Sequence, residues 1–175
     1  MLIVRSRQVL QQGSIRATLA QSHRGKLVSL VRNGDFEQGV PGYVPVGWWL
    51  RHFSTGDPSY GYWSDENPAR GERCLKLVRA KHKIRVYSQG FDIPRPGRYV
   101  FRFKAKATCK GAVLNTAWSP QALSVRIEPG DRWREYRVEG DMTPHRACIH
   151  CVFDHAEGEN QVLWVDDLEF GRVAE

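Results

Sequence analysis

No run of 18 consecutive apolar residues occurs in this 175-residue chain, so the sequence offers no membrane-spanning helix. The opening stretch, MLIVRSRQVLQQGSIRATLAQS, lacks the uninterrupted apolar core of a secretory signal, because Arg5 and Arg7 follow only four apolar residues. A secreted form is therefore expected to be a fragment or to leave by another route. Cysteine is limited to Cys74, Cys109, Cys148 and Cys151, too few to define a disulfide scaffold. Cys148 and Cys151 form a CxxC, but the surrounding ACIHCVFD alternates like a strand, which turns residues three apart to opposite faces. Buried free thiols are expected there in place of a metal knuckle or redox turn, and His145, His150 and His155 are read the same way. The sequence also lacks a nucleophile elbow, an HExxH, a phosphate-cradling glycine loop and a recognisable Ser-His-Asp context. Its one evident acidic cluster leaves no second pair of carboxylates for glycoside hydrolysis, so the chain is not expected to be an enzyme.

Lysine is scarce among the cations. Of 26 positive charges 19 are Arg, against 19 Asp plus Glu, for a net charge of +7. Arg favours forked contacts with carboxylates, phosphates or sugar hydroxyls, which makes an acidic partner one reading of the charge. Simple solubility is the other. The charges are spread along the chain without a basic block or nucleic-acid motif, so nucleic acid is not the expected partner. With 41% apolar and 11% aromatic residues there is material for one packed domain.

Residues 1–27 are polar and rich in Gln, Ser and Arg, and they read as an N-terminal arm that binds neighbouring subunits of a larger assembly. Residues 28–175 show short strand patterns punctuated by Gly, Pro and Asp, with no helical period. In YVFRFKAKA, Tyr99, Phe101, Phe103, Ala105 and Ala107 share one face, and Arg102, Lys104 and Lys106 the other. Further strands are expected at 74–80, 83–93, 122–128, 133–140, 147–154 and 162–170. Strands in this number at this spacing predict an all-β sandwich or jelly roll.

The order of LVRNGDFEQG, PVGWW, GERCLKLV, VYSQGFDIPRPGRYVFRFKAKA, WREYRVEGD and VLWVDDLEFGRV resembles the carbohydrate-binding modules of the galactose-binding-like jelly-roll type, over about Leu30 to Val173. The NGDF opening is also similar to the start of such domains in phage tail and fibre proteins. The resemblance implies a galactose-binding-like jelly-roll β-sandwich and a structural Ca2+. It would assign the ion to Glu37 and one of Asp166 and Asp167, with backbone carbonyls near Asn33 and Asp35. Alternation favours Asp166, which shares the inward face of Leu168 and Phe170. Turn and cap hydrogen bonds without metal are the other reading of these residues.

A sugar site needs flat aromatic faces and forked polar groups in a shallow groove. Trp48 sits where the family has a buried Trp, so Trp49 should point outward. Tyr60 and Tyr62 share one face of SYGYWSDEN, opposite Trp63. Tyr87 and Trp118 complete the aromatic candidates, Trp118 in the loop NTAWSPQ. Arg85, Arg102, Lys104 and Arg126 at outward strand positions are expected to line one sheet face with cations, which favours an acidic glycan; a solvated charged face is the alternative. The expected function is a non-catalytic glycan-binding module anchored in or on a larger assembly, in a virion or outside the cell. The alternative is a structural or decoration protein of a phage head or tail that uses the jelly roll as a building block, without sugar binding.

Overall fold

Turn residues cut the chain into short extended segments, and each segment pairs so that its apolar parity faces inward. The computed structural model describes residues 27–52, 59–153 and 160–173, so the arm reading, apart from Leu27, falls outside the described residues. Twelve strands form: β1 (Leu27–Ser29), β2 (Trp48–His52), β3 (Tyr60–Ser64), β4 (Cys74–Arg79), β5 (Ile84–Ser88), β6 (Phe91–Ile93), β7 (Gly97–Ala107), β8 (Ala112–Ala117), β9 (Ser124–Arg126), β10 (Gly130–Met142), β11 (His145–Phe153) and β12 (Gln161–Val173). Among the described residues there is no helix, and hence none long and apolar enough to cross a membrane.

One sheet runs β10-β7-β12-β4-β3 with β1 added to β12; the other runs β2-β5-β11-β8-β9 with β6 added to β11. All pairings are antiparallel. The two sheets, here the β12 sheet and the β11 sheet, enclose the core of a jelly-roll sandwich. Tyr99, Phe101, Phe103, Ala105 and Ala107 of β7 are buried, as their alternation requires, in one cluster with Ile84, Val86, Leu114, Ile149, Cys151 and Phe153 of the other sheet. Phe103 stacks on Tyr136 at 5.4 Å and Tyr99 on Phe170 at 5.5 Å. Each such ring contributes about 1.5–3 kcal/mol on burial. Gly61 of β3 lets the sheets pack closely: a Cβ there would lie 2.7 Å from Val86 Cγ2 of β5.

The strand expected over 83–93 breaks at Gln89 and Gly90 into β5 and β6, because the Gln89 N–H is drawn to the Gly47 carbonyl at 2.7 Å. The segment 122–128 contracts to β9, while β2, β3 and β8 form from segments whose aromatic or short patterns gave no strand expectation.

Alternation also fails within β12. Leu163 and Val165 face the core with odd parity, Leu168 and Phe170 with even parity, and a bulge between Asp166 and Glu169 supplies the extra residue, with Asp167 at φ +50°. Asp166 therefore stands in outward register, opposite Lys104, and does not share the face of Leu168 and Phe170 as expected. It is buried because the chain around residues 69 and 70 folds over it. Gly34 of the NGDF segment packs on this bulge: Leu168 N–H donates to its carbonyl at 2.8 Å, and a Cβ on Gly34 would lie 2.0 Å from the Leu168 carbonyl oxygen.

Candidate functional site

Strand parity divides the sequence-predicted ligand residues between two opposite faces of the sandwich. Trp49, Tyr87, Trp118, Arg85 and Arg126 belong to the outer face of the β11 sheet, while Tyr60, Tyr62, Arg102 and Lys104 belong to the outer face of the β12 sheet. The expectation of one continuous cationic face is corrected by this partition, since sequence periodicity fixes the face of a residue within its strand but not the sheet to which the strand belongs.

On the β11 sheet the register sets Trp49, Tyr87, His150, Asn115 and Ser124 side by side on five neighbouring strands. Trp48 is buried at 2% exposure, and its indole N–H donates to the Asn33 carbonyl at 3.2 Å, so Trp49 turns outward at 45% as expected. Trp49 stacks on Tyr87 at 5.9 Å, Tyr87 meets His150 edge-on at 6.0 Å, and Trp118 meets His150 edge-on at 6.5 Å. Trp118 follows β8 with φ +61° and remains 60% exposed. The four rings form a strip across the strands. A second row, two residues along each strand and thus about 7 Å away, holds Arg51, Arg85, Val152, Val113 and Arg126.

Sequence reasoning missed His150 as a member of this strip, although the alternation of ACIHCVFD already placed it opposite Ile149 and Cys151. Burial, followed by the positive charges of Arg85, Arg51 and Lys83, pushes its pKa down to about 4. At neutral pH it is a neutral imidazole, offering one donor and one acceptor of the kind a sugar hydroxyl matches. Cys148 and Cys151 are buried free thiols on opposite faces of β11, and burial pushes both up, Cys148 to about 12 and the fully enclosed Cys151 further.

The outer face of the β12 sheet is built differently. Tyr62, Lys76, Trp164, Lys106 and Trp133 alternate ring and cation across it: Lys76 Nζ lies 5.8 Å from the Tyr62 ring and 5.5 Å from Trp164, and Lys106 Nζ lies 4.8 Å from Trp164 and 5.0 Å from Trp133. Tyr60 lies beside Tyr62 at 5.4 Å, with Trp63 on the opposite face as expected, packed against the core. Arg102 pairs with Glu169, Lys104 with Asp167 at 3.1 Å, and Arg98 with Glu139 at 2.7 Å. Arg102 and Lys104 already have anions beside them and are committed to the protein.

The acidic residues near the chain ends form a clamp on the segment before β4. Asp166 Oδ2 accepts the N–H groups of Ala69 at 2.8 Å and Arg70 at 2.9 Å, and Oδ1 accepts the N–H of Asp167 at 2.6 Å. Burial nonetheless pushes this carboxyl up to about 6, against the pull of the three donors. Glu37 Oε1 accepts the N–H groups of Glu72 at 2.9 Å and Arg73 at 3.2 Å. Asp167 pairs with Arg70 at 3.6 Å as well as with Lys104. The Asn33 side chain folds the NGDF turn, donating to the Gln38 and Val46 carbonyls and accepting from Gln38 N–H, while the Asp35 side chain is exposed. Among the described residues no group of three or more His, Cys, Asp or Glu converges. The set fits a hydrogen-bonded clamp directly, and it fits a hard cation only through the two carboxylates of Glu37 and Asp166.

No protein-family model and no curated protein matches the sequence. Solved structures match the fold. A tailspike protein 4 enzymatically active domain from bacteriophage CBA120 superposes with a TM-score of 0.64 at 16% identity over 82% of this chain; the chain spans 21% of that protein's length. A putative sugar binding protein from Bacteroides thetaiotaomicron gives 0.57 at 12% identity, covering 83% of this chain and 100% of that one. The family 11 carbohydrate-binding module of a cellulosomal cellulase from Clostridium thermocellum gives 0.53 at 12% identity, covering 89% and 99%. The chain thus folds as a jelly roll of the carbohydrate-binding-module type.

Proposed function

We propose that the chain is a non-catalytic glycan-binding module whose ligand lies across the outer face of the β11 sheet. The observation that carries this reading is the strip of Trp49, Tyr87, His150 and Trp118, four rings on one face with the two tryptophans exposed. Flat rings in a row suit successive pyranose faces, and the neutral imidazole and Asn115 supply hydroxyl partners. The five strands β2, β5, β8, β9 and β11 contain no Asp or Glu, so they provide no carboxylate pair for glycoside hydrolysis. A sugar binding protein and a carbohydrate-binding module among the structural neighbours support the same reading.

On a glycan array, Trp49→Ala and Trp118→Ala are expected to lose the signals of the wild type with little change in melting temperature, because both side chains are largely solvent-facing. Tyr60→Ala and Tyr62→Ala, on the opposite sheet, should keep them. Loss of signal from the tyrosine variants with retention in the tryptophan variants would move the site to the β12 sheet.

A second reading, a structural or decoration part of a phage particle anchored through residues 1–27, takes its support from the fold shared with the phage tailspike domain. Both readings place the protein at a virion or outside the cell. A structural Ca2+ belongs with them, supported by two carboxylates gripping one backbone segment from both sides. Added Ca2+ should then raise the melting temperature relative to chelator, and Asp166→Asn should remove the rise; identical melting in both conditions would leave the clamp to its hydrogen bonds alone.

A further inference from the structure

The two faces of the sandwich differ in how their cations are balanced, and the difference bears on what the strip holds. On the β12 sheet, Arg98, Arg137, Arg102, Lys104 and Lys76 stand next to Glu139, Glu169, Asp167 or Glu66, while Lys106 lies between the rings of Trp133 and Trp164. Strands β2, β5, β8, β9 and β11 contribute four Arg and no acid, Arg51, Arg85, Arg126 and Arg146, and the one acid in the strands of this sheet, Asp92 of β6, stands opposite Arg146 in register without forming an ion pair with it. Three of the arginines lie in the row beside the strip. Arg146 lies on the other side, next to Trp118: a Cβ on Gly90 would meet Arg146 Nε at 2.9 Å and Trp118 Cζ3 at 3.2 Å. Arg126 and Arg146 are exposed, and neither has a carboxylate within ion-pair distance among the described residues.

Resting on the glycan reading above, we infer that the ligand of this face is an anionic glycan, whose sugar-borne carboxylates or sulfate esters are held by the arginines flanking the aromatic strip. A pyranose seated on a ring projects its exocyclic substituents sideways from the ring plane, toward the rows on either side. Guanidinium groups match carboxylate and sulfate oxygens with paired donors. The exposed guanidinium groups of Arg126 and Arg146 give the flanks of the strip positive charge, which draws an anionic chain.

The test pairs ligands that differ only in charge: oligogalacturonate against its methyl ester, and dextran sulfate against dextran, measured by calorimetry with the full chain. The wild type is expected to prefer an anionic member by about tenfold or more, with binding that weakens as NaCl rises. The double variant Arg126→Gln/Arg146→Gln should lose that preference. Arg132→Gln/Arg134→Gln, which removes the same charge from exposed positions of β10, should keep it. Preference for oligogalacturonate places the anion on a uronate, and preference for dextran sulfate places it on a sulfate ester. Equal affinity for charged and uncharged members would overturn the inference and leave the glycan reading intact. An equal loss in the β10 control would overturn it by reducing the preference to net charge. Absence of binding to every member, together with a silent glycan array, would overturn both.

Discussion

Asp166→Ala should destabilise the fold by about 3–5 kcal/mol, lowering the melting temperature by roughly 10 °C, without touching the aromatic strip. The side chain is 1% exposed and accepts three backbone N–H groups, from Ala69, Arg70 and Asp167. Truncation leaves these donors without an acceptor at a bulge where the backbone has already left the ladder, and each buried unsatisfied group costs about 1–3 kcal/mol. Rewetting of the gap recovers part of this, so the sum stays below the full penalty. Asp166→Asn separates the acceptor from the charge: it keeps one carbonyl oxygen and removes a carboxylate that burial already disfavours, so its cost should be clearly smaller. Asp167→Asn is the comparison for surface pairing. It breaks the contacts to Arg70 and Lys104 while keeping a residue type that tolerates positive φ, and exposed pairs of this kind are worth about 1 kcal/mol or less. Chemical denaturation of the three variants reads these differences. An Asp166→Ala protein within about 1 kcal/mol of wild type would mean that the segment before β4 is held by its other contacts.

The fold was legible in the sequence where one physical rule decides. The alternation of YVFRFKAKA gave both faces of β7, because a strand with one side in the core leaves a period of two, although Val100 and Lys106 on the outer side are covered as well. With Trp48 placed inward by the resemblance, the outward Trp49 followed from the same rule. The rule failed at Asp166 because one bulged residue shifts every later side chain by one position, and the signal for it, an Asp-Asp pair able to adopt positive φ, has other common uses. The site was legible only in pieces. Trp49, Tyr87 and Trp118 could each be named, yet nothing local to 48–52, 84–88 and 112–118 says that β2, β5 and β8 join one sheet through β11. That adjacency also explains why Arg102 and Lys104, which look like Arg85 and Arg126 in sequence, stand on the far side next to Glu169 and Asp167. His150 escaped for a related reason: a lone His between cysteines, weighed against metal binding, reads as buried, and only its register neighbours Tyr87 and Asn115 turn it into part of a strip.

His150 gives the fold a pH dependence whose direction the strip determines. Its folded pKa lies near 4, below the ordinary value of 6.5, because it is buried beneath Tyr87 and Trp118 and faces the positive charge of Arg85, Arg51 and Lys83. Above pH 6.5 the imidazole is neutral in both folded and unfolded chains and contributes nothing. As the pH falls from 6.5 to 4 the unfolded chain binds a proton that the folded chain refuses, so stability is lost through this window. At about 1.4 kcal/mol per unit the loss is on the order of 3 kcal/mol, complete below pH 4 where both states carry the proton. His150→Gln, neutral at every pH, should flatten the dependence by that amount, which urea unfolding of the two proteins at pH 7, 5.5 and 4 would show as converging stabilities. Carboxylates titrating in the same range shift both proteins equally and drop out of the difference. Parallel curves would mean that His150 takes up its proton freely and that the strip is wetter than its ring contacts indicate. With the dependence as expected, the imidazole stays neutral across the range in which uronates are ionised, so the anion is held by the arginines while His150 remains available to a hydroxyl.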